Sequence, residues 1–177
     1  MLSRRVHRSA ITSRAVSNVR SVPNWLWWLL AALVLGGGGV AAVYMTRGLR
    51  NNNPGNIKLT NQNWLGKVTN SQNTDGTFEQ FISMDYGVRA LSRVLNSYSN
   101  RGLNTVRSII TTFSATDQEA YVSNVSEALG VDPDDLINVA DPDTKAALIR
   151  AIIRQEQGVV PALAVTDAQI ETGIALA

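Results

Sequence analysis

The carboxylates that could move a proton all come late in this chain. Every one of its 14 Asp and Glu residues lies at Asp75 or beyond. Glu79 stands between Phe78 and Phe81, with Asp75 and Asp85 close in sequence, and Glu156 follows an apolar run. A carboxylic acid donates a proton near neutral pH when partly apolar surroundings raise its pKa. The aromatic flanks could give Glu79 such surroundings, which makes it the candidate catalytic acid. The same residue could equally be a solvated strand position facing away from Phe78. Glu156 reads as a partner for an arginine or as a solvent-facing residue. Other chemistries find little material. Without cysteine there is no disulfide, thiolate metal site or thiol nucleophile. A single histidine, His7, cannot build a multi-His metal site. No phosphate-binding loop, dinucleotide fingerprint or EF-hand occurs, and Asp132, Asp134 and Asp135 read as helix-start acids. No cofactor and no metal are expected.

The elements that must position these groups change character near residue 85. Residues 45–84 are dense in Asn and Gly. Asn53-Pro54-Gly55-Asn56 reads as a turn, because Pro54 fixes φ, Gly55 allows positive φ and asparagine side chains bond their own backbone. Short alternating pieces at 57–59, 64–68 and 77–82 predict a β-hairpin or three-stranded sheet carrying Glu79. From Asp85 the spacing is helical. Met84, Val88, Leu91, Leu95 and Tyr98 share one stripe, and Val106, Ile109, Ile110 and Phe113 the next, capped by Asn104 or Thr105. Thr116 to Glu119 reads as a capping box for a helix that Gly130 ends. A short helix is expected over 132–139, and a longer one from Asp141-Pro142 to Gly158 with Leu148, Ile149, Ile152 and Ile153 inward. Thr166 and Gln169 suit one more short helix within an apolar tail, 159–177. Arg89 either pairs with Asp85 at i, i+4 or contacts a substrate. Trp64 is either a packed core aromatic or a platform for a ligand.

Ahead of all this, the chain is basic and then apolar. The net charge of +2 hides a split: residues 1–74 carry nine Lys and Arg and no acid, and residues 75–177 carry seven against all 14 acids. Residues 1–24 read as a flexible basic arm, with Arg4, Arg5, Arg8, Arg14 and Arg20 available to lipid headgroups or to the phosphates of genomic DNA. Residues 25–44, WLWWLLAALVLGGGGVAAVY, hold no charge over about 30 Å of helix and read as one membrane-spanning helix rather than a cleaved signal peptide or a core helix. Trp25, Trp27, Trp28 and Tyr44 would anchor it at the two interfaces, and the arginines place the N-terminus on the cytoplasmic or virion-interior side. His7 then lies across the membrane from the domain, which argues against a Ser-His-Asp triad. Gly36 to Gly39 could admit a second copy or another membrane protein.

The segment RGLRNNNPGNIK, followed by Trp64-Leu65-Gly66, by Gly76 to Phe81, by Tyr86 to Ala90 and by Ile152 to Gly158, resembles a family of bacteriophage virion and prophage proteins with an R-N-N-N-P-G-N-I signature. The resemblance spans about residues 47–158. More distantly, the Asn turn, the Trp-x-Gly and the Glu-bearing strand look like the β-lobe of glucosaminidases and lytic transglycosylases. Joined to the span read above, these resemblances imply a mainly α (α+β) fold: a single N-terminal transmembrane helix, then a small lysozyme-like domain at 45–158 with a β-lobe at 45–84 and a helical part at 85–158. They imply a virion structural protein that links a membrane to the capsid or vertex, in the virion membrane or host inner membrane. The alternatives are a peptidoglycan hydrolase acting as the phage enters, and a prophage-encoded host membrane protein. For a hydrolase, Asn51, Asn52, Asn53, Asn56, Trp64 and Arg89 would bind substrate and Glu79 would supply the proton. In the lysozyme-like families the principal glutamate ends the helix ahead of the Asn turn. Here Tyr44 to Arg50 fill that place without a carboxylate.

Overall fold

From residue 84 on, most of the helices expected from the spacing form. The computed structural model describes residues 45–177. Seven helices occur among the described residues: α1 Arg47–Arg50, α2 Met84–Asn100, α3 Val106–Phe113, α4 Gln118–Leu129, α5 Pro142–Gln157, α6 Val159–Ala162 and α7 Asp167–Ala175. Several ends follow from local chemistry. Thr105 accepts from the Ser108 N–H in a capping box at the start of α3, and Thr166 does the same with Gln169 for α7. The Asp141 carboxylate takes the Thr144 N–H at 2.8 Å, with Pro142 filling a first-turn position that needs no donor. Gly130 ends α4 in the left-handed region, φ 69°.

The core is the union of the inward stripes. Leu91 and Leu95 of α2, Ile109 and Ile110 of α3, Leu148, Ile149, Ile152 and Ile153 of α5, and Ile170 of α7 are all buried. The tail therefore belongs to the core. Gly173 of α7 lies so close to α2 that a Cβ there would stand 2.5 Å from the Val88 side chain.

The stretch 45–83 departs from expectation. No hairpin or three-stranded sheet forms; isolated antiparallel bridges pair Lys58 with Phe78 and Lys67 with Phe81. The mainly α (α+β), lysozyme-like fold class is corrected to a mainly helical one with an irregular loop lobe. The physical reason is the asparagine content. Side-chain amides and carboxylates take the backbone groups that a ladder would use. Asn53 Nδ2 donates to the carbonyls of both Ile57 and Glu79, Asn52 Nδ2 to Phe81 O, and Asn73 Nδ2 to Phe78 O, each at 2.9 Å. The helix expected over 132–139 is also absent. Asp132 and Asp135 side chains accept local backbone N–H groups there, and Ile137 N bonds to Asn104 O at 2.8 Å instead of to its own turn.

The single-pass membrane architecture and membrane location are likewise corrected: no helix among the described residues is long and apolar enough to cross a membrane. The stretch that suggested one, Trp25 to Tyr44 with Trp27, Trp28 and Gly36 to Gly39, lies outside the described residues, as do Arg4, Arg5, Arg8, Arg14 and Arg20.

Candidate functional site

Hydrogen bonds tie the loop lobe to the bundle at the end of α5. Glu156 Oε2 accepts from Asn56 Nδ2 at 2.9 Å, and its Oε1 accepts from the Tyr121 hydroxyl at 3.1 Å. The next residue, Gln157, donates to Pro54 O at 2.7 Å and accepts from the Thr46 hydroxyl. Burial first, and then the charge of Glu156, hold the Tyr121 phenol well above its ordinary pKa, so it remains a protonated donor. On the other side, Gly87 of α2 presses on the turn. A Cβ there would meet Asn52 O at 1.8 Å, so only glycine allows this approach.

Beside this junction lies a cleft of about 730 Å³, lined by Gly55 to Lys58 and Phe78 from the lobe, Tyr98 from α2, the segment Thr111 to Thr116, and Glu156. To a bound molecule it offers one carboxylate, an amide at Asn56, a cation at Lys58 and aromatic faces at Phe78 and Tyr98. Hydrolysis of a glycosidic bond needs a proton donor plus a second carboxylate or help from the substrate. No second carboxylate lines the cleft.

The expected site residues fall into separate places. Glu79 is fully buried. Its Oε1 accepts from the Thr60 N–H and hydroxyl, each at 2.9 Å, and from Lys67 Nζ at 3.0 Å. Its Oε2 lies 2.9 Å from the same ammonium without an aligned donor. Lys67 also donates to Thr60 O at 2.6 Å, so the pair pins residues 60–67 to the Phe78-Glu79 segment. Glu79 is absent from the lining of the cleft.

Asn51, Asn52 and Asn53 engage the chain itself. Asn51 Nδ2 donates to Asp75 Oδ2 at 2.8 Å and its Oδ1 accepts from Gln80 at 3.0 Å. Asn52 and Asn53 hold the carbonyls already described. The forked Arg47–Asp75 pair, at 2.6 and 2.7 Å, closes the same corner, with the guanidinium 4.7 Å from the Phe78 ring centre. That guanidinium, the Asn51 amide and the N–H groups of Phe78 and Thr77 together hold the Asp75 carboxyl well below the usual carboxylate range. Asn56 reaches the cleft. Trp64 and Arg89 come together elsewhere, in a second pocket with Arg93. Arg89 forms no ion pair with Asp85; its Nε donates to Leu176 O at 2.8 Å. Among the described residues no group of three or more His, Asp or Glu is placed to hold a metal ion.

Sequence reasoning passed over the Glu156–Asn56–Tyr121 contact. A signal was present, since N-N-N-P-G-N and I-I-R-Q-E-Q-G stood in one ordered motif set. Segments about a hundred positions apart that recur together are candidates for contact.

No protein-family model matches the chain. Against known proteins, it is 34% identical over 122 residues to Protein P5 of Pseudoalteromonas phage PM2. The match covers 65% of this chain and 73% of that protein. The chain belongs to the Protein P5 family of bacteriophage proteins. Within that family, what this chain contributes to the question of function is its own geometry: a buried Glu79, an engaged Asn turn and a cleft with one carboxylate.

Proposed function

We propose that this protein is a structural protein of a phage virion and that its folded domain links other virion proteins, at the capsid or vertex, by binding rather than by catalysis. The observation that carries this reading is the burial of Glu79. A general acid must reach the oxygen it protonates within hydrogen-bond distance. Glu79 has no exposed surface, and its oxygens are taken up by Thr60 and Lys67. Kinship to a phage protein supports the virion setting. The test is cross-linking of purified phage particles followed by peptide mapping. The expected result is a defined set of links from the exposed Lys58 to other particle proteins, unchanged by Glu156→Gln. Absence of the chain from purified particles overturns the reading.

One observation favours a second reading, a peptidoglycan-directed glycosidase: Glu156 lines the large cleft beside Tyr98 and Phe78. In this version Glu156, not Glu79, is the acid, and the substrate's own acetamido group takes the part of the missing second carboxylate. Clearing of peptidoglycan in a gel by the full chain, lost in Glu156→Gln and kept in a cleft variant such as Thr112→Ala, would establish it. No clearing would reject it.

A further inference from the structure

Of all the aspartates and asparagines in this chain, Asp75 is the one that glycine follows. That dipeptide carries an intrinsic reactivity, because a glycine has no side chain to shield its N–H from the carboxyl group before it. The backbone nitrogen can attack Cγ, closing a five-membered succinimide ring and expelling water. Water then reopens the ring at either carbonyl, giving back aspartate or giving isoaspartate, in which the main chain runs through the β-carbon. The surroundings of Gly76 are open: it is exposed, and a Cβ built on it would meet nothing within 4 Å. What stands against the reaction is the set of bonds on the two reacting groups. Asn73 Oδ1 accepts from the Gly76 N–H at 2.9 Å and from the Asp75 N–H at 2.8 Å, so the nucleophile is occupied. The carboxylate is held by the Arg47 fork and the Asn51 amide, and its Oδ1 accepts from the Phe78 N–H at 2.9 Å and the Thr77 N–H at 3.2 Å. These donors, Arg47 first, also keep it ionised, and a carboxylate anion is a far poorer target for a nucleophile than the neutral acid.

We propose that Asp75-Gly76 is a site of spontaneous isoaspartate formation, latched in the folded protein by Arg47 and Asn73. One bond forms, from Gly76 N to Asp75 Cγ, and the amide proton and the carboxyl hydroxyl leave together as water. Hydrolysis returns that water, so no oxidant, reductant or second substrate enters. Because the Arg47 side chain is 46% exposed, the fork can part without disturbing the buried core. A reaction confined to the open form proceeds in proportion to its population when opening and closing are fast. Each conversion also prevents the corner from closing again. The added backbone carbon moves the carboxylate away from the place where Arg47, Asn51 and two N–H groups meet it, and α1 loses its tie to the segment 75–78. The chemistry is the chain's own and does not depend on what the domain binds.

The test ages the full chain at neutral pH, folded and in guanidinium, and follows the tryptic peptide spanning residues 68–89. Isoaspartate appears there as a peptide of unchanged mass with a shifted retention and resistance to Asp-specific cleavage at residue 75. The succinimide is lighter by one water, and deamidation of Asn70 or Asn73 is set apart by its gain in mass. Asp85, followed by Tyr86, is the control within the same peptide. Conversion at Asp75 is expected to be fastest in the unfolded chain and slowest in the folded one. Arg47→Gln should raise the folded rate about threefold or more, as the loss of a partly exposed charge-assisted pair implies. Arg47→Lys, which keeps the charge but not the fork, should fall between. Melting curves of each variant separate local release from global unfolding, and if Arg47→Gln does not fold, Arg47→Lys decides. A folded chain that converts as fast as the unfolded one overturns the proposal, and so does a folded Arg47 variant that converts no faster than the parent chain.

Discussion

The two halves of this domain are stabilised by different physics. The bundle, 84–175, is held by burial: its inward residues are aliphatic, spaced by three and four, and almost all fully covered. The lobe, 45–83, has two buried large apolar side chains, Leu49 and Phe81, and is held by polar side chains bonded to backbone. Apolar packing is nondirectional and tolerates repacking. Amide-to-carbonyl bonding is directional and fails when one partner goes. The lobe should therefore respond steeply to substitutions that barely change volume, while the bundle responds to volume.

The sharpest test of that contrast is the buried pair. Glu79→Gln leaves the Lys67 ammonium without its counter-charge inside the lobe and should cost about 3–5 kcal/mol in chemical denaturation, despite near-identical size. The double change Lys67→Met with Glu79→Leu should recover most of the loss; if it does not, the pair does more than neutralise itself. Leu148→Ala should cost the bundle about 2–5 kcal/mol through a cavity, whereas Leu148→Met should cost less than about 1.5 kcal/mol. Asn53→Ala strips a donor from the Ile57 carbonyl and the buried Glu79 carbonyl and an acceptor from Ile57 N, and should cost about 1–3 kcal/mol in chemical denaturation.

Acid should separate the halves as well. The Asp75 carboxyl is held below its ordinary value of 3.8 by Arg47 first. Its folded form thus binds a proton less readily than its unfolded form. The stability it contributes is complete above about pH 4 and is lost as pH falls through the lower folded value. Amide exchange in the lobe should accelerate below pH 4 before exchange in the bundle, and Asp75→Asn should remove that early step. The smallest effect is expected at the bundle surface. Arg107 bridges Glu119 and Asp134 in solvent, so Arg107→Ala should leave the melting temperature nearly unchanged.

This contrast also explains what the sequence revealed. The helices were legible because burial imposes a period, and Val88-Leu91-Leu95 or Leu148-Ile149-Ile152-Ile153 can be read without a structure. Caps at Thr105, Asp141 and Thr166 were legible for a similar reason, since a short polar side chain ahead of such a stripe has one obvious use. The lobe was misread as a sheet because Phe78 and Phe81 looked like strand alternation, while the amides that replace the ladder leave no periodic mark. The same gap hid the site. Nothing in the order of residues says that Lys67 neutralises Glu79, or that Tyr121 joins the Asn56–Glu156 contact, because those partners are fixed by the path of the lobe.

The bond between the Asn turn and the end of α5 has a consequence for the birth of the molecule. Pro54 O and the Asn56 side chain find their partners in Gln157 and Glu156, so the turn, which Ile57, Glu79 and Phe81 can brace early, meets its anchor on α5 only about a hundred residues later. Non-local closures of that kind are slow compared with helix formation. The docking of the first-made part of the domain onto α5 is therefore among the last contacts to form, and until α5 is complete the Asn56 amide and the Pro54 carbonyl are open to whatever else in the cell can hydrogen-bond them.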